Sequence, residues 1–495
     1  MTADTTDRRR WLALYVLCGG MLMIVLDVTI VNVALPSIQD SLGFSQSNLA
    51  WVVNAYLIPF GGLLLLAGRM GDLLGQRRIF LAGLTVFVAA SLLCAAAANQ
   101  AMLIGGRFLA GVGGAFASAV ILGMIVTMFP EPREQAKAIG VYGFVASAGG
   151  SIGLLAGGGL TQAISWHWIF LINLPIGICV ALGALRLVEE RPGIGLREGA
   201  DVRGAALITG SLMVGTYAIL EVSSHGWGSA QTLILTAVSA ALFAAFLARQ
   251  TQISNPLVPL GLFRNRNLSG ANVIQAMLVA GMFGMFFLGA LYLQRILGYD
   301  ALEVGLAFLP ATVAMGALSL GFSEKLIMRF GPKTTLIPGV AMIGAGLLLF
   351  ARTPVEGSYL TDLLPPLLLV GVGVGTSFPS LMTLAMSGAG PSEAGLASGV
   401  VNTSMQVGGA IGLAVLATLA SQRADSRVAE GASQLSALNS GYHLAYLIGA
   451  ALVGAALVVA VTVLRAPAPA EAMAAPEPAE GRARGSEEPA YSEVG

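Results

Sequence analysis

Fourteen apolar runs, each about twenty residues long or more, follow one another along this 495-residue chain, the first at 11–35 and the last at 441–465. A run of that length crosses a bilayer as an α-helix. In hydrocarbon the backbone can satisfy its own N–H and C=O groups only within a helix or a closed barrel, and the alternating pattern of barrel strands is absent. The chain therefore reads as an all-α polytopic membrane protein. Composition agrees: 56% of residues are hydrophobic and 11% charged, against about 25% charged in a soluble domain. The 26 basic and 26 acidic residues cancel, so no bulk attraction to nucleic acid is implied.

Orientation follows from lysine and arginine placement. With the N-terminus in the cytoplasm, 21 of the 26 fall on the cytoplasmic side. Arg295, Arg352, Arg423 and Arg427 fall outside, and Arg107 is left inside the membrane. The positive-inside rule then places both termini in the cytoplasm of a multi-pass cell-membrane protein. Arg8-Arg9-Arg10 ahead of the first run imitates a signal peptide. That run continues past Asp27 to Leu35 without an A-x-A-like cleavage site, so it reads as a retained first span.

The chain also repeats itself. Arg69, Gly75 and Arg77 share their spacing with Lys325, Gly331 and Lys333. Gly-Gly-Ser-Ile-Gly-Leu at 149–154 recurs as Gly-Gly-Ala-Ile-Gly-Leu at 408–413. The nearly equal offsets, 256 residues from Gly75 to Gly331 and 259 from Gly149 to Gly408, predict two six-helix bundles related by a parallel repeat, as in secondary transporters. The bundles are expected over 11–188 and 268–465, with two inserted helices over 203–249. Residues 1–10 form a cytoplasmic N-terminus, and 466–495, rich in Ala, Pro, Glu and Gly, a disordered cytoplasmic tail.

No G-x-x-x-x-G-K-[ST] loop is present to cradle ATP phosphates. Cys18, Cys94 and Cys179 lie in apolar runs and read as small buried hydrophobes, and His167, His225 and His443 are scattered. No metal or cofactor is expected, and transport must draw on an ion gradient or on diffusion. The loops offer no constellation of acids and histidines, so the chain reads as a non-enzyme.

Asp27 and Arg107 are the charges well within spans, with Glu221 at an outer edge. An intramembrane acid costs at least ~2.5–3.5 kcal/mol on insertion scales and is functional by default. Asp27 can relieve that cost by taking up a proton, which is what a proton-coupled carrier needs. The alternative is an Asp27–Arg107 ion pair that only ties spans 1 and 4, and one pair can do both. Arg107 stays charged and should face the bundle interior, with Gly111 and Gly114 leaving space beside it. Span 5 carries Gly140, Gly149, Gly153, Gly157 and Gly158, with 149, 153 and 157 on one face for close helix approach. The cytoplasmic loop Gly68–Arg78 holds Gly68, Asp72, Gly75, Arg77 and Arg78. There Asp72 can bond in one conformation and release in another.

Together these residues resemble the fourteen-span drug:proton antiporters of the major facilitator superfamily, the multidrug-exporter type. Leu26–Pro36 looks like that family's first-span motif, and Gly68–Arg78 like the superfamily's loop motif. Leu103–Gly114 is similar to its fourth-span motif, Trp166–Pro175 to the stretch opening span 6, and Ala397–Gly409 to that opening span 13. The resemblance implies the major facilitator fold, with fourteen transmembrane helices in two bundles plus two inserted helices. It implies Asp27 and Arg107 as the proton-coupling pair, Asp72 with Arg77 and Arg78 as an inner gate, and span 5 as the antiporter helix. Leu154 departs from the pattern, standing where the span 5 motif has proline after Gly153. Candidate cavity residues are Asn32, Trp51, Asn54, Tyr56, Gln275, Phe283, Tyr292, Asn402 and Gln406. The expected activity is proton-coupled export of drugs or antibiotics by alternating access, the cargo displacing a proton from Asp27. The expected partners are a neutral, anionic or singly charged amphiphile, protons and the lipid bilayer, with no nucleic acid, and the chain is expected to be a monomer. Proton-coupled transport of a metabolite is the alternative reading, and a polytopic membrane enzyme a remote one.

Overall fold

The computed structural model describes residues 2–465 apart from 46–47, 130, 191, 194, 196–200, 254–255, 259 and 387–393. The tail beyond 465 lies outside the described residues. Among the described residues there is no β-strand, and every apolar run lies in a helix.

The first bundle contains α1 (Thr2–Leu42), α2 (Trp51–Leu74), α3 (Gln76–Ala95), α4 (Gln100–Met128) and α5 (Pro132–Ala163). It closes with the short α6 (Trp168–Leu171) and α7 (Asn173–Leu187), which together make the sixth span. A hairpin of α8 (Val202–His225) and α9 (Ala230–Gln252) follows. The second bundle runs through α10 (Arg266–Arg295), α11 (Ala301–Ala317), α12 (Ser323–Phe330), α13 (Pro332–Phe350), α14 (Leu364–Met386), α15 (Ala394–Ala429) and α16 (Gln434–Thr462). A π-helical stretch, Leu318–Phe322, joins α11 to α12.

Short polar residues set the helix starts. Asn99, Asp201, Ser229, Asn265 and Ser433 accept a backbone N–H from the first turn of α4, α8, α9, α10 and α16. Asp300 and Glu303 form a reciprocal capping box on α11. Two sharp corners need glycine: Gly75 between α2 and α3 has φ 101°, and Gly331 between α12 and α13 has φ 83°. Both lie where a side chain is strained.

The two bundles are packed alike. α1 lies on α5 and α7, α3 on α4 and α7, and α2 on α4. In the second bundle α10 lies on α15 and α16, α13 on α14 and α16, and α11 on α14. The tight crossings recur too. Gly83 lies on Gly113 and Gly339 on Gly373, while Gly111 abuts the Tyr56 carbonyl and Gly371 that of Ala311. At each of these an added Cβ would overlap backbone, the close approach that small residues permit between membrane helices. The bundles meet along two seams, α5 against α11 and α2 against α15, and α8 covers the second by packing on both its helices.

At the end of the bundles away from the N-terminus, side chains bolt the halves together. Arg295 pairs with Asp40 at 2.5 Å and donates to Gln39 at 3.1 Å. Gln294 donates to the Val33 carbonyl at 2.8 Å and Gln162 to Asp300 at 2.7 Å. At the end that holds the N-terminus each bundle clasps its own last helix. Arg77 donates to the Leu185 carbonyl at 2.7 Å, and Lys333 to those of Val461 and Leu464 at 2.8 and 2.6 Å. The end away from the N-terminus is therefore closed in this conformation.

Candidate functional site

Asp27, in the middle of α1, and Arg107, two turns into α4, are buried together, their side chains 0% and 1% exposed. Arg107 Nη1 lies 2.5 Å from Asp27 Oδ2, and its Nε donates to the Val52 carbonyl at 2.9 Å. The guanidinium carbon stands 4.5 Å from the centre of the Tyr56 ring and 5.8 Å from that of Phe170, a cation held on aromatic faces. Asn173 Nδ2 donates to the other carboxylate oxygen of Asp27 at 3.0 Å and approaches Ser91 Oγ at 3.2 Å. Taking two charges out of water is costly unless the remaining hydrogen-bonding capacity is met. Here donors from two helices reach the carboxylate, and a carbonyl and two rings take up the guanidinium.

The helices explain the placement. Val52 begins α2, Asn173 begins α7, and Ser91 lies in the last turns of α3. The cluster therefore sits toward the end of the bundle away from the N-terminus. Its members come from α1, α2, α3, α4 and α7, all in the first bundle. The opposite side of α1 packs on α5, where Gly149 faces Leu22 and Val25, Gly153 faces Leu26 and Thr29, and Gly157 faces Ile30.

Other predicted positions divide between the bundles and the seams. Gly158 meets Ala301 and Leu302 of α11 across the first seam. Leu154 leaves α5 helical from Pro132 to Ala163, and its carbonyl abuts Gly305. Arg78 pairs with Glu190, as Arg77 does at 3.9 Å, so these loop arginines reach the end of their own bundle's last helix. Gly68 has open space about it. The side chains of Asp72 and Asn402, and Gly140, lie outside the described residues.

Among the cavity candidates, Tyr56 is corrected to the charge cluster. Gly111 and Gly114 do not leave empty space beside Arg107, because the backbone and hydroxyl of Tyr56 fill it. Tyr292 is likewise turned into the second bundle, its hydroxyl donating to the Pro354 carbonyl at 2.6 Å. Trp51 leans on Tyr217 of the inserted hairpin, with ring centres 6.5 Å apart. Asn32 is half-buried and bonds back to the Val28 carbonyl at 3.3 Å. Gln406 stands against Gly61 in the second seam and Phe283 against Gly409, while Gln275 is buried. Asn54 is fully buried with no partner for either amide atom among the described residues. Cys18 and Cys94 are buried but Cys179 is exposed on its helix, and Glu221 contacts His225 at 3.0 Å.

Asn173 and Ser91 escaped the sequence reading. Asn173 lies inside the stretch singled out at the start of span 6, and its signal was an amide at the first residue of an apolar helix. Ser91 carried none.

The sequence profile of the Major Facilitator Superfamily matches residues 17–413. The puromycin resistance protein pur8 of Streptomyces alboniger is 37% identical over 459 residues, covering 91% of each chain. The cephamycin export protein CmcT of Amycolatopsis lactamdurans is 34% identical over 425 residues, 85% of this chain and 87% of its own. A bacterial homologue of the human lysosomal transporter Spinster, inward-facing and unoccupied, superposes with a TM-score of 0.63 at 16% identity. That match covers 93% of this chain and 99% of the other, a likeness of fold.

Proposed function

From a chain that belongs to the Major Facilitator Superfamily, we propose export of a small amphiphilic antibiotic or drug across the cell membrane, driven by protons carried on Asp27. Relatives named for puromycin resistance and cephamycin export support the cargo class and the direction. The observation that carries the proton reading is the fully buried Asp27 carboxylate held by Arg107 and Asn173.

The cycle is built from those contacts. With both termini in the cytoplasm, the bolts at Arg295–Asp40 and Gln162–Asp300 close the outer end, and cargo enters from the cytoplasm or inner leaflet. A proton on Asp27 removes the charge that attracts Arg107, while Arg107 keeps the Val52 carbonyl and the Tyr56 ring. Protonation thus loosens α1 from α4 and α7 without dismantling α4. Cargo and proton do not compete for one side chain, because the partners of Asp27 lie inside the first bundle. They are coupled through the position of α1, which carries Asp27 on one side and the glycine face of α5 on the other. This replaces direct displacement of the proton by cargo. The exchange of conformations is alternating access by a single chain.

Proteoliposomes with an imposed pH gradient test the reading. Puromycin and a cephamycin are expected to speed collapse of the gradient in wild type and not in Asp27→Asn. Equal collapse in both proteins overturns Asp27 as the proton carrier. Uptake of the compounds without proton movement in wild type overturns proton coupling.

A further inference from the structure

At the cytoplasmic end of the first bundle, the ends of α1, α3, α4 and α7 enclose a cavity of about 460 Å³ that the transport cycle does not use. Its polar lining is Arg9, Arg10, Gln76, Arg77, Thr127 and Glu189. The rest is apolar, with Met124, Met128 and Leu187. Arg9 donates to the Arg186 carbonyl at 2.9 Å and Arg77 to that of Leu185. Neutral acceptors of this kind fix a guanidinium without cancelling its charge. Glu134 approaches Arg10 at 3.5 Å, and Glu190 pairs with Arg77 and Arg78. Four arginines (9, 10, 77 and 78) against Glu134, Glu189 and Glu190 leave an excess of one positive charge among the residues that line the cavity or belong to the ion pairs of its lining.

The cavity lies where the positive-inside reading puts the cytoplasmic headgroup layer. Trp11, one residue beyond Arg10, packs on Phe129 with ring centres 5.0 Å apart, an aromatic pair at the depth where such rings anchor helices. A group that satisfies this lining is anionic at one end and apolar at the other. Arginine forks take phosphate oxygens in parallel hydrogen bonds, and basic pockets between helices on the cytoplasmic side suit acidic headgroups. We propose that this cavity binds the phosphate headgroup of an acidic phospholipid of the cytoplasmic leaflet, its chain lying along the methionines. A soluble phosphate offers the same oxygens but leaves the apolar lining uncovered.

Native mass spectrometry of the purified full-length protein, titrated with phosphatidylglycerol or phosphatidylcholine, tests this site. A basic residue near the membrane surface contributes about fivefold to binding. Arg9→Gln/Arg10→Gln is therefore expected to bind phosphatidylglycerol roughly 25-fold more weakly than wild type. Arg9→Lys/Arg10→Lys, which keeps the charge, retains most of the affinity. Arg8→Gln, an exposed neighbour outside the lining, stays near wild type. Inorganic phosphate added in excess leaves the lipid in place if the lipid is the ligand. Displacement by phosphate supports the phosphate site and reassigns its source to a soluble anion. Equal affinity for the two lipids, unchanged binding in the Gln double variant, or an equal loss in Arg8→Gln overturns the site.

Discussion

Asp27 and Arg107 are joined in the same geometry whether they form a structural tie or a proton site, and substitution separates the two. Arg107→Met leaves the Asp27 carboxylate buried with Asn173 as its remaining donor and takes the partner from the Val52 carbonyl. Stranding a buried charge by removing its partner costs about 3–5 kcal/mol. A site that carries protons must tolerate the neutral acid, and Asp27→Asn imitates that state. In Asp27→Asn the amide oxygen still accepts from Arg107, and the guanidinium keeps the Val52 carbonyl and its place 4.5 Å from the Tyr56 ring. Its cost is expected at about 1.5–3 kcal/mol, near that of one hydrogen bond to a charged group. Adding Asp27→Asn to Arg107→Met removes the stranded charge and is expected to recover most of the larger loss, so the two changes are strongly non-additive. Thermal inactivation of the purified protein in one detergent reads this out as apparent midpoints. Arg107→Met should fall by roughly 5–15 °C, with Asp27→Asn and the double variant well above it. Equal losses in the two single variants, or a double variant below Arg107→Met, refute the tolerance of a neutral Asp27 on which the proton reading rests.

Gly158→Val should lower transport in membrane vesicles about tenfold at normal protein levels, since overpacking costs ~1–3 kcal/mol and the added Cβ meets the Ala301 backbone. Gly159→Val, where a Cβ meets nothing within 4 Å, should transport like wild type. Arg295→Asp places like charges at the outer bolt and should speed thiol labelling of a cysteine introduced at Ala301, in a chain whose native cysteines are replaced. Adding Asp40→Arg should slow it again, each change a few-fold because an exposed pair contributes about 0–1 kcal/mol. Burial alone would push the Asp201 carboxyl up, but hydrogen bonds from Arg249, the Gly204 N–H and Gln250 hold it below its ordinary 3.8. Its contribution to stability is therefore present above about pH 4 and lost as pH falls through the lowered value. Asp201→Asn should flatten the acid limb of thermal stability between pH 5 and 3 and leave the neutral midpoint lower.

What could be read from the sequence follows from how strong each signal is. Twenty apolar residues in a row have few alternatives in a bilayer, so every run lies in a helix, including α5, where Leu154 removes the expected proline kink. The charge pair was legible because two charges inside hydrocarbon must find each other or water. Asn173 and Ser91 were not, because neutral polar residues such as Asn54, Thr209 and Ser377 are also buried in these helices. Packing alone decides which of them meets Asp27. Tyr56 was misplaced because the rotation of α2 is set by a contact beyond its own sequence, the seating of Gly111 on the Tyr56 carbonyl. Cys179 shows the same limit: an apolar run names the solvent, not the face.

The repeat makes the asymmetry of the molecule informative. Gly111 and Gly371 make matching contacts, as do Gly113 and Gly373, at the same separation of 260 residues. The counterpart of Arg107 is then Leu367, which is buried. The second bundle keeps the glycine crossings, the corner glycine and the lysine that grips its last helix, and it lacks the charge. Frame and chemistry are thus separable: both halves need the crossings to pack and the clasps to hold a bundle as one body. A proton bound at Asp27 acts on one half. For the other half to respond, the change in α1 must pass to α5 at Gly153, against the Thr29 side chain, and at Gly157, and from α5 to α11 at Gly158 and Gly305, where backbone atoms lie closest. Under the proposed proton coupling, bundles that move as rigid bodies need one charge site to drive both gates, and a single buried pair is enough.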